Sequence, residues 1–357
     1  MNFKRLLSGK RDVFGLDVGS SCVKAIQLRR DENGYSVIAA GRTEVIQDGT
    51  DNRGQIKNIV TAIRKCVKSA QIKTKHAVCG ISGPNVALRH FEFPVMEAGE
   101  IEEAVLLEAG QVCPFEQGQF IVDYQLFRNS GGNLQETANS QQSDKIQGVL
   151  AAATMGMIGY RDQLVRAASL NCVLMDVDGL ALLNCFLECE KAEHTETIAI
   201  LGVGGTFTNL ALLGSDGIPF VRDIPHAADE IINHVADEHN LSPQAARDIL
   251  CGLPDKDIGE FRDSLKTASA KLIADIVQTL RYYTAEEGHA VGKIFVCGGF
   301  AWANGFIELL NNQLPLEVVL WNPFNKMRHD DAAHGIEMLK EHGCALALAA
   351  GLAMRTI

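Results

Sequence analysis

Several familiar signatures are missing from this chain. No two of its ten cysteines stand as Cys-x-x-Cys, the nearest pair being Cys185 and Cys189. That excludes the common zinc spacings and the paired framework of a small secreted domain, and ten unpaired thiols suit a reducing compartment. No stretch reaches the roughly 18 uncharged apolar residues of a membrane span. The basic start, residues 1–12, has no apolar segment of the kind a secretory signal needs. Positive charge is also short. The 33 Lys+Arg against 44 Asp+Glu leave a net charge of −11, which argues against general nucleic-acid binding, since phosphate neutralisation needs clustered Lys and Arg. Walker A, G-x-G-x-x-G, His-Glu-x-x-His and Gly-x-Ser-x-Gly patterns do not occur, and the ten histidines show no ligand spacing.

What is present is ordinary globular composition, 46% hydrophobic and 22% charged over 357 residues. At about 150 residues per domain this is a two-domain or two-lobed chain, long enough to bury a core without staples. Phe14–Gly19 reads as a buried strand, Val23–Leu28 as its return, and Tyr35–Ala40 as a third strand. Gly54–Ser69 has helical spacing, with Ile56, Ile59, Val60, Ile63 and Val67 on one stripe, and Ala77–Ile81 is another short strand. The order predicts a mixed α/β fold.

The most informative feature is an internal repeat. Asp17-Val18-Gly19-Ser20-Ser21-Cys22-Val23-Lys24 recurs in form 185 residues later (202 − 17) as Gly202-Val203-Gly204-Gly205-Thr206-Phe207-Thr208-Asn209. Each copy lies between two apolar strands, so the repeat predicts two related lobes, although hairpins with small turn residues are common. Turns of Gly, Ser and Thr leave backbone N–H groups unobstructed, and such groups form anion-binding concavities. Two of them facing across a cleft would hold phosphates from both sides. Asp17 would then orient a hydrated magnesium ion, which favours oxygen ligands, and Lys24 would reach a phosphate as a point charge. A third glycine site, Gly298-Gly299, ends the apolar run Lys293–Cys297. Phe300 and Trp302 beside it read as packing residues.

Between the repeats, Gly99 is the expected cap of a helix whose first turn carries Glu100, Glu102 and Glu103. Ile101, Ala104, Val105, Ala109 and Val112 form its stripe, Glu108 interrupts it, and Pro114 ends it. Phe120–Phe127 reads as a strand, 129–143 as a polar loop and Ile146–Thr154 as the paired return.

These segments resemble the PilM family of type IV pilus assembly proteins, within the wider FtsA and actin/Hsp70-like ATPase superfamily. The resemblance spans nearly the whole chain. It is most specific at Gly15–Lys24, Glu102 through Phe115, Val122-Asp123-Tyr124-Gln125 and Met175–Leu182, with further landmarks at Thr279–Tyr283 and Trp321-Asn322-Pro323-Phe324. It implies an α/β, two-lobed actin-like (ribonuclease H-like) ATPase fold with an inserted FtsA-type 1C subdomain. The implied boundaries are 1–82 and 157–195 for the first lobe, 83–156 for the insert, and 196–225 with 290–332 for the second lobe. Residues 226–289 would form its 2B subdomain, and 333–357 a C-terminal helix packing on the first lobe.

By the same resemblance, ATP and magnesium are the expected ligands, with no transition metal. Asp17, Gly19, Ser20, Ser21 and Lys24 would hold phosphate and magnesium. Gly204, Gly205, Thr206 and Thr208 would hold phosphate from the other lobe, and Gly298 and Gly299 would bound the adenosine pocket. Asp178 matches an acidic position that orients water in relatives; its alternative reading is a cap for a helix over Gly179–Phe186. The implied partner is the cytoplasmic tail of a PilN-like inner-membrane protein, beside other pilus assembly proteins, with Val105, Glu108 and Val112 as candidate contacts. No nucleic acid is expected, and the membrane is reached only through the partner, from a cytoplasmic position at its inner face. The end of the sequence, Gly351–Ile357, carries no amphipathic membrane segment of the FtsA kind, which favours the PilM family.

The sequence departs from the family pattern at the nucleotide site. Gly202 stands where the second hairpin ordinarily begins with aspartate, and Ala227-Ala228 where Gly-Gly is usual. Phe300 and Asn304 replace a glycine and a proline of the adenosine loop. An acidic and basic pair expected in the helix after Leu241-Ser242 is here Arg247 and Leu250. The expected function is therefore a scaffold that binds nucleotide with weak or no turnover. The alternatives are an active ATPase powering pilus assembly and an FtsA-like filament-forming protein.

Overall fold

The computed structural model describes residues 12–47, 51–127, 145–191, 197–252 and 258–355. The polar loop expected at 129–143 lies outside them. The first lobe opens with strands β1 (Phe14–Val18), β2 (Cys22–Asp31) and β3 (Gly34–Glu44), then helix α1 (Asn52–Ser69) and β4 (His76–Ile81). Asp51 caps α1 by accepting from the Gly54 amide, and Ile59, Val60, Ala62, Ile63 and Cys66 face the sheet. Ile56 and Val67 of the expected stripe are only partly buried at its edge.

The insert follows as β5 (Val86–Pro94), α2 (Ala98–Val112), β6 (Phe120–Leu126) and β7 (Lys145–Thr154). Its three strands pair in the order β5-β7-β6. The cap of α2 is Glu97, in a reciprocal box with Glu100, and Gly99 lies inside the helix. A glycine offers no side-chain acceptor for the first free amides, whereas Glu97 and Glu100 satisfy one each.

The chain returns to the first lobe through α3 (Met155–Ala167), β8 (Asn171–Val177) and α4 (Asp178–Glu190). The second lobe comprises β9 (Ile198–Val203), β10 (Thr208–Leu213), β11 (Pro219–Ile224), α5 (Ala228–Glu238), α6 (Pro243–Cys251), α7 (Phe261–Ala268), α8 (Ala270–Glu287), β12 (Lys293–Cys297), α9 (Phe306–Gln313) and β13 (Glu317–Leu320). Last come β14 (Arg328–His334), α10 (Ile336–His342) and α11 (Ala347–Ala353). β14 pairs with β3, so this strand, which begins within the segment expected in the second lobe, joins the first sheet.

The two lobes share one topology. The first sheet contains the run β3-β2-β1-β4-β8 and the second is β11-β10-β9-β12-β13. In each, the first two pairings are antiparallel and the next two parallel. The hairpin turns match atom for atom. The Gly19 amide donates to the Cys22 carbonyl and the Gly204 amide to the Phe207 carbonyl, both at 3.1 Å. The repeat of 185 residues is thus a repeat of backbone geometry.

Between the lobes, α4 and α11 form a shared layer. Leu182, Phe186, Leu346 and Ala350 pack there with Ile26 of the first sheet and Ile200 of the second. The run Ala-Leu-Ala-Ala-Gly-Leu-Ala of α11 presents little bulk, which lets its backbone approach β1 and α4 closely.

Candidate functional site

The two glycine turns open onto one cleft of about 250 Å³ between the lobes. Asp17, Gly19, Ser20, Ser21 and Lys24 line it from the first hairpin, Gly204, Gly205 and Thr206 from the second, and Gly298 and Gly299 from the end of β12. Asp178, the first residue of α4, reaches the same space. The structure therefore brings together residues that lie up to 282 positions apart (299 − 17).

Thr208 is not among them. It is fully buried, and its hydroxyl donates to the His226 carbonyl at 2.8 Å. Its neighbour Asn209, the repeat equivalent of Lys24, lines the cleft instead. Alternation along β10 turns successive side chains to opposite faces, so the residue matching Lys24 by the repeat offset takes the inward place. The offset alone would have identified it. Arg42 was also legible in principle, since it pairs with Lys24 across β2 and β3. Arg161, on α3, carried no sequence signal.

Asp17 and Lys24 are register partners on β1 and β2, and their side chains form a 2.7 Å ion pair. Burial disfavours the charged Lys24, but the Asp17 carboxylate beside it outweighs that, and its pKa lies above the ordinary value. Asp178 is 8% exposed, and its Oδ1 has no hydrogen-bond partner. Burial first, then the charge of Asp17, push its pKa up to about 7. It does not cap α4, which begins at Asp178 with Val177 as the cap.

The contacts Ser20–Asp229 and Gly83–Asp223 join the two halves of the molecule. The Ser20 hydroxyl donates to Asp229 Oδ2 at 2.8 Å, and Arg247 donates to the other carboxylate oxygen at 3.0 Å. Nearby, the Gly83 backbone amide donates to Asp223 Oδ2, and the Asn209 side-chain Nδ2 donates to Asp223 Oδ1, both at 2.6 Å. A Cβ at Gly205 would stand 2.3 Å from Ser20 Oγ and 2.8 Å from Asp229 Oδ2, so a side chain there would push that contact apart.

The residues present fit a polyphosphate better than a divalent metal. Gly298 has a φ of +100°, and a Cβ there would stand 2.4 Å from the Val203 carbonyl oxygen, so glycine is required by the close passage of the β9 backbone. Magnesium keeps several waters and is held through one or two carboxylates together with substrate phosphates. Asp17 is held by Lys24, Asp178 is pushed towards its neutral form, and the repeat partner of Asp17 is Gly202. A Cβ at Gly202 would meet Leu182 at 2.8 Å, so no carboxylate fits there without displacing a core side chain. Phe300 is 1% exposed and packs edge-on against Phe306, as expected of a core residue.

A second concavity, about 540 Å³, separates the inserted sheet from the first lobe. Six consecutive residues of β8, Cys172–Val177, line one wall, and Ile121, Asp123, Val149 and Ala151 line the other. Val105, Glu108 and Val112 do not line it. Val105 is 1% exposed and packs against Phe91, Leu150 and Ala152. The inserted sheet stands between α2 and the groove: Phe120, Val122 and Tyr124 pack with α2, while Ile121 and Asp123 turn to the other face. The strand, not the helix, supplies the groove residues. Among the described residues, no helix is long and apolar enough to cross a membrane.

The comparisons agree with this architecture. The family model described as type IV pilus assembly protein PilM matches residues 15–357. A solved structure of a PilM–PilN type IV pilus biogenesis complex has 23% identity and a TM-score of 0.78, covering 97% of this chain and 98% of that one. The nucleotide-free diol dehydratase-reactivating factor has 9% identity and a TM-score of 0.51, covering 96% and 99%. These likenesses show the fold, which this chain shares with both structures over nearly its whole length. No curated protein sequence matches the chain.

Proposed function

This chain belongs to the PilM family of type IV pilus assembly proteins, and from that premise we propose that it is a scaffold of the pilus inner-membrane assembly platform. It seats the tail of a PilN-like membrane protein in the groove beside the inserted sheet, which holds it at the inner face of the membrane through that partner. Residues 83–156 act as the inserted subdomain that completes the groove. A nucleotide in the interlobe cleft sets the angle between the lobes.

The observation that carries this reading is the run of six consecutive β8 residues along the groove. β8 is the last strand of its sheet, so its outer edge carries unpaired N–H and C=O groups. An extended peptide laid against such an edge gains main-chain hydrogen bonds, with alternate side chains entering pockets on the wall. The wall here is apolar through Ile121, Val149, Ala151 and Met175, and ends in the Arg355–Asp176 ion pair at 3.3 Å.

Groove and cleft are connected by one continuous element. β8 ends at Val177, and the next residue, Asp178, faces the cleft. A ligand that shifts α4 against the second lobe therefore moves the end of β8. Linkage requires the effect to be reciprocal: nucleotide and peptide change one another's affinity by the same factor. Turnover is not needed for such a switch, and the second hairpin offers Gly202 where a second carboxylate would serve it.

Calorimetric titration with a synthetic peptide of the cognate PilN-like tail tests the reading. Saturable binding that Ile121→Asp weakens is the expected result. No binding up to about millimolar peptide, a free energy weaker than about −4 kcal/mol, refutes it.

A further inference from the structure

Resting on the nucleotide reading above, we propose that the cleft binds the polyphosphate of a nucleotide with arginine and lysine side chains alone, without a divalent metal. Four cations from four elements line the space: Lys24 of β2, Arg42 of β3, Arg161 of α3 and Arg247 of α6. Among the described residues, two carboxylates, Asp17 and Asp178, line it with them. The cations are the larger part of the charge, in a protein whose net charge is −11.

The partners of each group sharpen the asymmetry. Asp17 is neutralised by Lys24 at 2.7 Å, and Asp229 at the rim by Arg247 at 3.0 Å. Arg42 lies 3.5 Å from Glu44, which does not line the cleft. Arg161 donates from Nη1 to the Val18 carbonyl at 2.9 Å, while its Nε is buried with no hydrogen-bond partner. A guanidinium has five donors in a fixed fork that matches two phosphate oxygens at once. An orphaned Nε beside a cleft holding two glycine turns is a donor in want of an acceptor. A phosphate oxygen supplies one.

The lobes take part unequally. Arg42 and Arg161 belong to the first lobe; Arg161 lies near enough to Asp178 to favour its charged form, but neither arginine forms a close ion pair with Asp17 or Asp178 among the described residues. Arg247 belongs to the second and is engaged by Asp229, which also accepts from Ser20. The space of about 250 Å³ falls short of the roughly 300–1,000 Å³ of ordinary ligand sites. Entry of a polyphosphate therefore parts Ser20 from Asp229 and releases Arg247 to the incoming anion. In this arrangement the anion itself bridges the two lobes in place of the Ser20–Asp229 contact, the task a metal would otherwise perform.

The test is calorimetric titration of the full chain with ATP, once with magnesium and once with excess EDTA, followed by urea melts of each variant. Affinities in the two buffers should agree within about threefold, a difference of under 1 kcal/mol. Inorganic tripolyphosphate should displace ATP in EDTA. Arg161→Gln and Arg42→Gln should each weaken binding in EDTA by about tenfold, the scale of one charge-assisted hydrogen bond, with the unfolding midpoint retained. Binding seen only with magnesium overturns the proposal and leaves the nucleotide reading standing. Binding in EDTA that neither arginine variant weakens also overturns it. Absence of ATP binding in both buffers defeats the nucleotide reading and this inference together.

Discussion

Replacing Asp178 by asparagine should stabilise the protein, and by an amount that grows with pH. The carboxyl is 8% exposed, lies near Asp17, and leaves one oxygen without a hydrogen bond. Its pKa rises from 3.8 to about 7, roughly three units at about 1.4 kcal/mol each, or on the order of 4 kcal/mol at high pH. The sign follows from proton linkage. Below the unfolded value both states hold the proton, so the carboxyl imposes no penalty. Between the unfolded and folded values the native state holds more protons than the unfolded chain, so stability falls as pH rises. Above the folded value the penalty is complete. Asparagine keeps the shape without the charge. Urea melts at pH 5, 6, 7 and 8 should show the variant's advantage widening to about pH 7 and levelling off. Asp176 and Asp223, also raised by burial, are present in both proteins and cancel in the comparison. Parallel stability profiles for the two proteins would refute the argument and place Asp178 in a solvated setting.

Three further outcomes are expected. Ile121→Asp puts a charge on a side chain that is 50% exposed, so it should leave the urea midpoint nearly unchanged while lowering affinity for the PilN-like tail about tenfold or more. Ser20→Ala removes the 2.8 Å hydroxyl contact to Asp229, worth about 1.5–3 kcal/mol for a charged acceptor, and should speed hydrogen exchange at residues 19–21 and 204–206 without speeding exchange in the second-lobe core. Phe300→Ala empties a site that is 1% exposed and should destabilise by about 3–5 kcal/mol in urea; a loss below 1 kcal/mol would mean that the ring does not pack as described.

Much of the plan was legible from one chain. The turn residues at Asp17–Lys24 and Gly202–Asn209 announced two lobes because the same pattern recurs between apolar runs half a chain apart, and the two lobes share one strand order. Strand alternation and helix stripes carried most element positions for the same reason: burial on one face imposes its period on the sequence. The candidate residues that lie outside the cleft and the groove do so where facing mattered. Thr208 was placed one position out of phase, and Val105 belonged to a stripe whose partner sheet hid it from the groove. Gly99 yielded its capping role to Glu97 because a cap is defined by an acceptor atom, which glycine's side chain lacks.

Local order, the lobe repeat and the glycine turns were determined by the sequence itself, since each depends on neighbours within a few residues or on a recurrence visible along the chain. Only the tertiary structure decided that Arg161 meets Val18 and the cleft, that Ser20 crosses to Asp229 over 209 positions, and that β8 presents its edge to the groove. Those contacts join segments with no sequence relation to one another. They arise because α4 and α11 bury a common apolar layer between the sheets, which brings the lobes to one separation and leaves the polar groups at their edges to find each other.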